Sequence, residues 1–487
     1  LVVDVLLLSL HNREGRHGLK PFYRVTKRSE LELTVHRDAF TRCQVGKGEP
    51  FETTFQDRLQ LHRMANVLSD EPPFGVRQVR VPTFLGVAND SVLDGFSVNV
   101  TNLDFKKRNV RVGVMPDPHL ETLRFATNVV FKALVRGGVE VPVVVGGGAA
   151  GWLTASIIAV THKHDDNISV TLVESPDVSI LGVGEGTWPT MRSTLLKIGI
   201  SEETFLAQCN ASFKQGTSFH NWRSDTIEHQ YYHPFSLPFR YFESDVAAWW
   251  QSYAAEQDFA HAVCSQAALC DHHLAPKQRQ TPAYAGIANY GYHLDANKFA
   301  ALLQKHATTV LGVQHIVDHV DDVVGSSSEP IAAIVGREHG NITGDLFIDC
   351  TGFAARLIGQ HYGIPLTSCS NVLANDSAIA IQAPYIDSSV DIASTTHSTA
   401  QDSGWIWDIG LPSRKGVGYV YSSAHCSEDE ARATLETYLK HGKKTADVDV
   451  SKARKITFSP GYRKTLWVEN CVAIGTSAGF LEPLEAS

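Results

Sequence analysis

The pattern of apolar and polar positions changes at about residue 139. Before that point, short alternating apolar runs are separated by clusters of Gly, Pro, Asn and Asp, which predicts small β-strands and turns. These runs are Leu31–Val35, Val76–Val81, Phe96–Val100 and Val110–Val114. Leu120–Val135 has apolar residues at helical spacing and predicts a connecting helix. We therefore expect residues 1–138 to form a small β-rich N-terminal segment, to which we assign no function.

From Val141 the pattern becomes that of an α/β fold. Val141–Val145 is a continuous apolar run rich in β-branched residues, as expected for a strand that is buried on both faces. A glycine-rich turn, an apolar helix over Trp152–Ala159 and a second strand over Ser169–Glu174 follow. We predict that residues 139–487 form one module, with a Rossmann-like core, a mixed sheet and an interleaved substrate region.

The glycine-rich turn predicts a dinucleotide site. It fits the pattern G-x-G-x-x-G, in which the first glycine permits a tight turn and the second lets the backbone approach a pyrophosphate. The third lets the helix pack on the strand, and the helix N-terminus offers free N–H groups to the phosphates. A carboxylate at the end of the second strand can accept hydrogen bonds from ribose hydroxyls. The predicted cofactor-binding residues here are Gly146, Gly148, Ala149, Ala150, Gly151 and Glu174.

Two later segments favour FAD over NAD as the dinucleotide. Asp345–Gly352 predicts a buried strand that ends at a glycine, and Trp467–Ser477 predicts another, with Gly475 near its end. Late strands of this kind bring backbone against the flavin in folds that interleave the cofactor and substrate regions. Each segment, taken alone, is equally consistent with a plain core strand.

Composition and charge narrow the function classes. The formal net charge of −9 argues against nucleic acid as a partner, because phosphate binding needs a basic surface. Eight scattered cysteines without a C-x-x-C pair suit a reducing cytoplasm, where we expect the protein to be located. No apolar run reaches the roughly 20 residues of a membrane helix, so we expect no membrane association. We predict no metal site either, since the cluster Cys270–His273 lacks a second ligand group at zinc-like spacing.

Several segments resemble motifs of the flavin-dependent tryptophan/indole halogenases, and they occur in the order found in that family. The resemblance covers residues 139–487 and implies an enzyme of that type. The segments are Gly146–Trp152, Gly182–Pro189, Asn210–Lys214 with Phe219–Trp222, Tyr231–Phe235, Tyr292–Ala296, Trp405–Ile409 and Phe480–Glu485.

The resemblance implies FADH2- and O2-dependent halogenation of an electron-rich arene, such as tryptophan, indole or a related compound. FAD is used as FADH2, which a separate flavin reductase supplies, and the halide is chloride or bromide. Hypohalous acid then passes to an active-site lysine. The loop containing Gly182, Val183 and Gly184 resembles the segment that straps across the flavin.

Lys214 and Glu485 match the catalytic residues of the family. Lys214 matches the lysine that binds hypohalous acid or forms a haloamine with it, and Glu485 matches a glutamate that could remove the ring proton. Family members usually continue Glu-Ser-Thr-Gly, whereas this chain reads Glu485-Ala486-Ser487. We therefore expect that the chain is truncated before its C-terminal substrate-binding part.

Four further residues match positions that contact or confine the arene. His233 and Phe235 match positions that line its pocket, where aromatic rings can sandwich an indole. Trp405 and Trp407 match bulky indoles that keep the substrate away from the flavin; at positions i and i+2 they would also suit the core side of one strand. Gly410 stands where the family has proline, as in a subgroup of less selective indole halogenases, some of which favour bromide.

Two alternatives remain open at this point. The chain could be an FAD-dependent aromatic monooxygenase, although Lys214, Trp405 and Trp407 together argue against hydroxylation. It could also be a catalytically inactive, truncated FAD-binding module. The resemblance leaves a homodimer open.

Overall fold

The computed structural model describes two compact units, Leu1–Phe125 and Ala126–Ser487. In the first unit it describes six strands, and the predicted helix over Leu120–Val135 lies outside the described residues. In the second unit the described residues are 140–178, 182, 184–223, 229–254, 256–442 and 444–481.

The first unit contains two antiparallel sheets of three strands each, with orders β2-β1-β5 and β3-β4-β6. Each predicted apolar run overlaps at least one strand, and the run Phe96–Val100 has the predicted bounds. The strands are β1 (Tyr23–Lys27), β2 (Glu30–Glu32), β3 (Arg77–Val81), β4 (Phe96–Val100), β5 (Asn109–Val110) and β6 (Val112–Pro116).

The second unit mixes helices and strands, which confirms the predicted α/β class. Its described helices are α1 (Ala149–Thr161), α2 (Met191–Ile198), α3 (Glu202–Gln208), α4 (Val246–Tyr253), α5 (Phe259–Val263), α6 (Gln266–Asp271), α7 (Ala296–Thr309) and α8 (Glu428–Gly442), with a π-helix over Arg356–His361 and 3-10 turns over Gly352–Ala354, Val450–Lys452 and Gly475–Ser477. Its described strands are β7 (Pro142–Val145), β8 (Thr171–Glu174), β9 (Glu185–Gly186), β10 (Ser212–Lys214), β11 (Gly216–His220), β12 (Gln230–Pro234), β13 (Gly291–Leu294), β14 (Gln314–Val317), β15 (Val320–Val324), β16 (Ala333–Gly336), β17 (Gly340–Thr343), β18 (Leu346–Asp349), β19 (Thr367–Ser368), β20 (Ser377–Pro384), β21 (Thr396–Gln401), β22 (Gly404–Gly410), β23 (Arg414–Tyr421), β24 (Arg454–Thr457), β25 (Gly461–Tyr462), β26 (Trp467–Val468), β27 (Cys471–Ala473) and β28 (Gly479–Phe480).

A six-stranded sheet with order β14-β8-β7-β18-β27-β26 forms the Rossmann-like core. Its first five strands are parallel, and β26 adds an antiparallel edge. Every residue of β7 and of β18 is buried, as the continuous apolar runs predicted, because parallel strands are covered on both faces. The two late segments therefore lie directly beside the first strand of the dinucleotide unit.

A seven-stranded mixed sheet with order β12-β11-β21-β22-β23-β20-β24 forms the second layer. Its strands pair antiparallel except for the parallel pair of β11 and β21. Side chains alternate between its faces. Trp405, Trp407 and Ile409 pack on one face, while Ile406 belongs to the core on the opposite face, which the α8 residue Leu435 covers.

A small antiparallel sheet with order β10-β13-β9 connects the segment Gly182–Pro189, called the strap segment below, to the mixed sheet. Its strand β10 runs through Gln215 directly into β11, so the same stretch of chain belongs to both sheets. Two further three-stranded sheets, β15-β16-β17 and β19-β25-β28, complete the described part of the unit. Among the described helices, none combines the length and apolarity needed to cross a bilayer.

Candidate functional site

The glycine turn between β7 and α1 leaves room for a phosphate. Gly146 has φ +118°, and a Cβ atom there would lie 2.2 Å from the Cys350 carbonyl oxygen, so only glycine fits. A Cβ atom on Gly151 would lie 1.9 Å from the Gly146 carbonyl oxygen, because the first turn of α1 packs against the glycine turn. By contrast, a Cβ atom on Gly148 would meet no described atom within 4 Å. The open side of the turn thus lies at the helix N-terminus, where free N–H groups favour anions.

Glu174 lies at the end of β8 with its carboxylate directed over this turn. A Cβ atom on Gly147 would lie 1.4 Å from its Oε2 atom, so the middle glycine makes room for the acid. Its Oε1 atom lies 2.7 Å from Nε2 of His315, whose ring contacts Trp152 edge-on at 5.0 Å. The sequence reasoning missed Gly147 and His315. Their roles depend on contacts between β8, β14 and α1 that no motif displays.

The two late strands end beside the same turn. Gly475 has φ +73°, and a Cβ atom there would lie 3.0 Å from the Cβ atom of Ala150 in the first turn of α1. At the end of β18, the buried Asp349 carboxylate accepts hydrogen bonds from the Thr351 hydroxyl (2.6 Å) and from the backbone N–H groups of Leu357 and Ile358 (both 2.8 Å). The predicted residues 146, 148–151, 174 and 475 therefore lie at one edge of the parallel sheet. That arrangement fits FAD, for which backbone close to the pyrophosphate is required.

The strap segment is held between α7 and the mixed sheet. The Gly182 carbonyl accepts a hydrogen bond from Nε2 of Gln382 (2.9 Å), and a Cβ atom on Gly182 would lie 2.0 Å from Nδ2 of Asn297. Gly184 has φ +95° and approaches the Cα atom of Gly416. Val183 lies outside the described residues. Gly182 therefore packs closely against the Asn297 side chain, while at Gly184 the positive φ, rather than a lack of space, favours glycine.

Lys214 is the last residue of β10 and is fully buried, with 0% of its surface exposed. Its Nζ atom lies 5.8 Å from the centroid of the Phe235 ring. The Phe235 N–H donates to the Gln215 carbonyl (2.9 Å), and the Ser212 hydroxyl donates to the Gly410 carbonyl (2.6 Å). The structure therefore brings the predicted lysine and one predicted wall of the arene pocket together. The contact follows from the direct continuation of β10 into β11.

Phe235 has an aromatic neighbour, Trp188, that was not among the site residues predicted from the sequence. Its ring stacks on that of Trp188 at 5.7 Å with an interplanar angle of 29°. Trp188 follows the strap glycines, so strap and pocket meet at this pair. His233 lies two residues before Phe235 on the edge strand β12, where desolvation by the surrounding protein and then the charge of Lys214 lower its pKa. The sequence offered one indication of a site role for Trp188, which is its position within the motif Gly182–Pro189.

Trp405 and Trp407 both point to the core side of β22, with their rings 6.3 Å apart in an edge-on arrangement. They pack with Ala378 and Ala380, and Trp222 lies 6.4 Å from Trp405. Trp407 keeps a buried Nε1 donor without a hydrogen-bond partner in the described part of the chain. The core role of both residues is thus established, and their effect on substrate access stays a prediction.

Two sequence predictions concern other parts of the chain. Glu485 lies outside the described residues. Within the cluster Cys270–His273, Asp271 accepts a hydrogen bond from the Tyr232 hydroxyl (2.8 Å) and lies 2.6 Å from Nε2 of His261. Among the described residues, no group of three or more His, Cys, Asp or Glu side chains is placed to hold a metal ion.

Comparison with known proteins shows the family to which the chain is similar. The family model for tryptophan halogenase matches residues 142–487. The chain is 36% identical over 366 residues to tryptophan 6-halogenase SttH of Streptomyces toxytricini, covering 71% of this chain and 68% of the relative.

Solved structures show the same fold. A tryptophan halogenase from Shewanella frigidimarina is 49% identical with a TM-score of 0.67, covering 72% of this chain and 68% of that one. BrvH, a flavin-dependent halogenase from Brevundimonas sp. BAL3, is 31% identical with a TM-score of 0.62, covering 72% and 68%. The chain therefore belongs to the tryptophan halogenase family.

Proposed function

We propose that this enzyme uses FAD as FADH2, together with O2 and chloride or bromide, to halogenate an electron-rich arene. Tryptophan, indole and related compounds form the proposed substrate class. The observation that carries the proposal is the fully buried Lys214 amine, 5.8 Å from the Phe235 ring. A buried lysine beside an aromatic wall suits a reaction in which an amine presents an oxidant to an arene.

The proposed cofactor site uses the edge of the parallel sheet. The N–H groups of Ala149 and Ala150 at the start of α1 would bind the pyrophosphate, next to the open space at Gly148. Glu174, oriented by His315, would accept hydrogen bonds from ribose hydroxyls. When bound, reduced FAD with O2 supplies the oxidising equivalent that converts halide to hypohalous acid. A separate flavin reductase is the proposed source of FADH2.

The proposed reaction chamber uses Lys214, Phe235 and Trp188. The Lys214 amine would hydrogen-bond hypohalous acid or form a haloamine with it, and the aromatic walls would hold the arene by stacking. Trp405 and Trp407 would keep the arene away from the flavin. Glu485 would take the proton that the ring loses when the carbon–halogen bond has formed.

A reductase-coupled assay on the full chain tests the proposal. Tryptophan and indole are each incubated with FAD, NADH, a flavin reductase, O2 and either bromide or chloride. We expect a product whose mass and isotope pattern show one added halogen, with no product when halide is omitted.

Two other outcomes of the same assay would favour a different function. Oxygenated arene without a carbon–halogen bond would identify a monooxygenase. FAD binding without any arene product, for both halides and both substrates, would identify an inactive FAD-binding module.

A further inference from the structure

His293 on β13 is a buried histidine that the proposed mechanism leaves without a role. Its exposed fraction is 0%, and its Nε2 atom lies 2.8 Å from the Thr396 hydroxyl on β21. Its Nδ1 atom is also buried but has no hydrogen-bond partner within the described part of the chain. Because buried polar atoms in folded proteins are almost always paired, an unpaired ring nitrogen indicates a bound molecule as partner.

The strand register places this histidine beside Lys214. In the antiparallel pair of β10 and β13, Ser212 is opposite His293 and Lys214 is opposite Gly291. Residues two apart share a face, so His293 and Lys214 are diagonal neighbours on one face of the ladder. The residue directly opposite Lys214 is Gly291, where a Cβ atom would lie 2.3 Å from the Thr187 carbonyl oxygen, so β9 and β13 pack closely at this point.

The surroundings keep the His293 ring neutral. Burial lowers its pKa well below the usual range, and the charges of Lys214 on β10 and His397 on β21 lower it further. A neutral imidazole has one N–H and one bare nitrogen. With Nε2 next to the Thr396 hydroxyl, Nδ1 is left to bind a small molecule that can donate or accept one hydrogen bond.

Two buried hydroxyls on the same side of the mixed sheet support a small polar occupant. Thr217 pairs in register with Thr396, and Ser398 follows Thr396 on the same face. Both hydroxyl oxygens are buried without a partner in the described residues. Buried hydroxyls of this kind are satisfied by a water-sized polar molecule rather than by an arene.

We propose that His293 is a further binding residue of the reaction site, whose Nδ1 hydrogen-bonds the hypohalous acid that Lys214 receives. The Thr396 hydroxyl holds the ring through Nε2, which leaves Nδ1 for the oxidant. No covalent bond forms or breaks at His293, which only orients the oxidant. The inference rests on the proposed function and deepens it.

Two substitutions separate this role from a structural one. In His293→Asn the amide occupies the position of Nδ1, whereas in His293→Gln it occupies the position of Nε2 and keeps the Thr396 contact. We expect His293→Asn, which keeps the Nδ1 position but loses the Thr396 contact, to lower the halogenated product per FADH2 oxidised by only about twofold to threefold. We expect His293→Gln to lose at least about tenfold, the effect of one lost hydrogen bond to a buried group. In His293→Gln the oxidant should escape, so a soluble hypohalous acid trap should capture more of it.

The controls make each outcome decisive. His306→Gln replaces a histidine whose ring nitrogen lies 2.7 Å from the Ile198 carbonyl oxygen, and it should retain full product. A larger loss in His293→Asn than in His293→Gln, or an equal loss in both, would overturn the proposal. If neither variant folds, Thr396→Val removes only the Nε2 contact and should lower product yield at unchanged FADH2 oxidation; unchanged yield would overturn it. Wild-type protein without any halogenated product would instead refute the proposed function.

Discussion

The buried amine of Lys214 gives the most direct prediction at the scale of a single residue. Lys214→Ala should lower halogenated product by at least about 100-fold, within the range for a group that acts directly on reacting atoms. FADH2 oxidation by O2 should continue, because no predicted cofactor contact involves Lys214. The coupled assay measures both rates.

Lys305→Ala is the matched control for this substitution. Lys305 is exposed on α7, and its replacement should leave both rates unchanged. Halogenated product from Lys214→Ala at the wild-type rate would refute the role of the amine.

Gly148 gives a second prediction, on cofactor affinity. Its backbone has φ −73° and ψ 179°, which valine adopts without strain, and its Cβ position is open. Gly148→Val should therefore fold normally but weaken FAD binding at least about tenfold, because the side chain would occupy the space of the pyrophosphate. Fluorescence titration with FAD and a thermal melt without FAD measure the two effects.

Gly442→Val serves as control, since Gly442 also has open space around its Cβ position but ends α8. It should bind FAD normally. An unchanged affinity for Gly148→Val would place the pyrophosphate elsewhere.

The sequence predicted a catalytic role for Lys214 only because the surrounding motifs occur in the order found in the halogenase family. A lysine between Phe213 and Gln215 would otherwise be assigned to the surface, and its burial depends on the pairing of β10 with β13, which lies far away in sequence. Trp188 and His293 stood inside recognised motifs but received no role. Stacking on Phe235 and an unpaired ring nitrogen are tertiary properties, which motif order does not encode.

At the scale of elements, α3 is fixed by a buried acid whose ionisation should make stability depend on pH. Glu202 accepts hydrogen bonds from the Lys277 amine (2.6 Å) and from the hydroxyls of Tyr290 and Tyr292 (both 2.7 Å). Burial alone would raise the pKa of Glu202, but these hydrogen bonds outweigh it and the pKa is lowered from 4.5. Because the pKa of Glu202 is lower in the folded state, its ionised carboxylate stabilises the fold at any pH above the unfolded-state pKa. This stabilisation is lost as the pH falls through the folded-state pKa.

Glu202→Gln tests this network. At pH 7 it should lower the free energy of unfolding by about 3 kcal/mol, because the Lys277 ammonium would lose its buried partner. The difference from wild type should shrink as the pH falls from the unfolded-state value of 4.5 through the lowered folded-state value, where the buried carboxylate becomes protonated. Urea unfolding midpoints at a series of pH values measure both effects. The exposed neighbour Glu203 gives the control Glu203→Gln, and a constant difference at every pH would contradict the prediction.

Helices and strands were predicted best where the apolar pattern of their own residues determines them. The strands around the glycine turn were placed correctly, whereas α1 begins at Ala149 rather than Trp152, because its first turn contains the motif glycine Gly151. The predicted second strand begins at Thr171 rather than Ser169. The order of the mixed sheet could not be predicted, because the parallel pair of β11 and β21 joins segments that nothing in their own patterns connects.

At the scale of the whole molecule, every residue placed in the candidate site belongs to the unit Ala126–Ser487. The cofactor edge uses β7, β8, β18 and β27, and the chamber uses β10, β13 and the residue after β12. The chain returns repeatedly to the same two sheets, so the site cannot be divided at any point within this unit. The predicted division into 1–138 and 139–487 therefore has a functional consequence that can be measured.

A fragment comprising residues 126–487 should bind FAD with a Kd within about threefold of that of the full chain, because a threefold change corresponds to less than about 1 kcal/mol. Its product yield per FADH2 oxidised should also match, and Lys214→Ala should abolish it in the fragment as in the full chain. FAD titration and the coupled assay on both proteins provide the comparison, with circular dichroism confirming that the fragment is folded. A folded fragment that no longer binds FAD would show that residues 1–125 contribute to the site, and the predicted division would then be wrong.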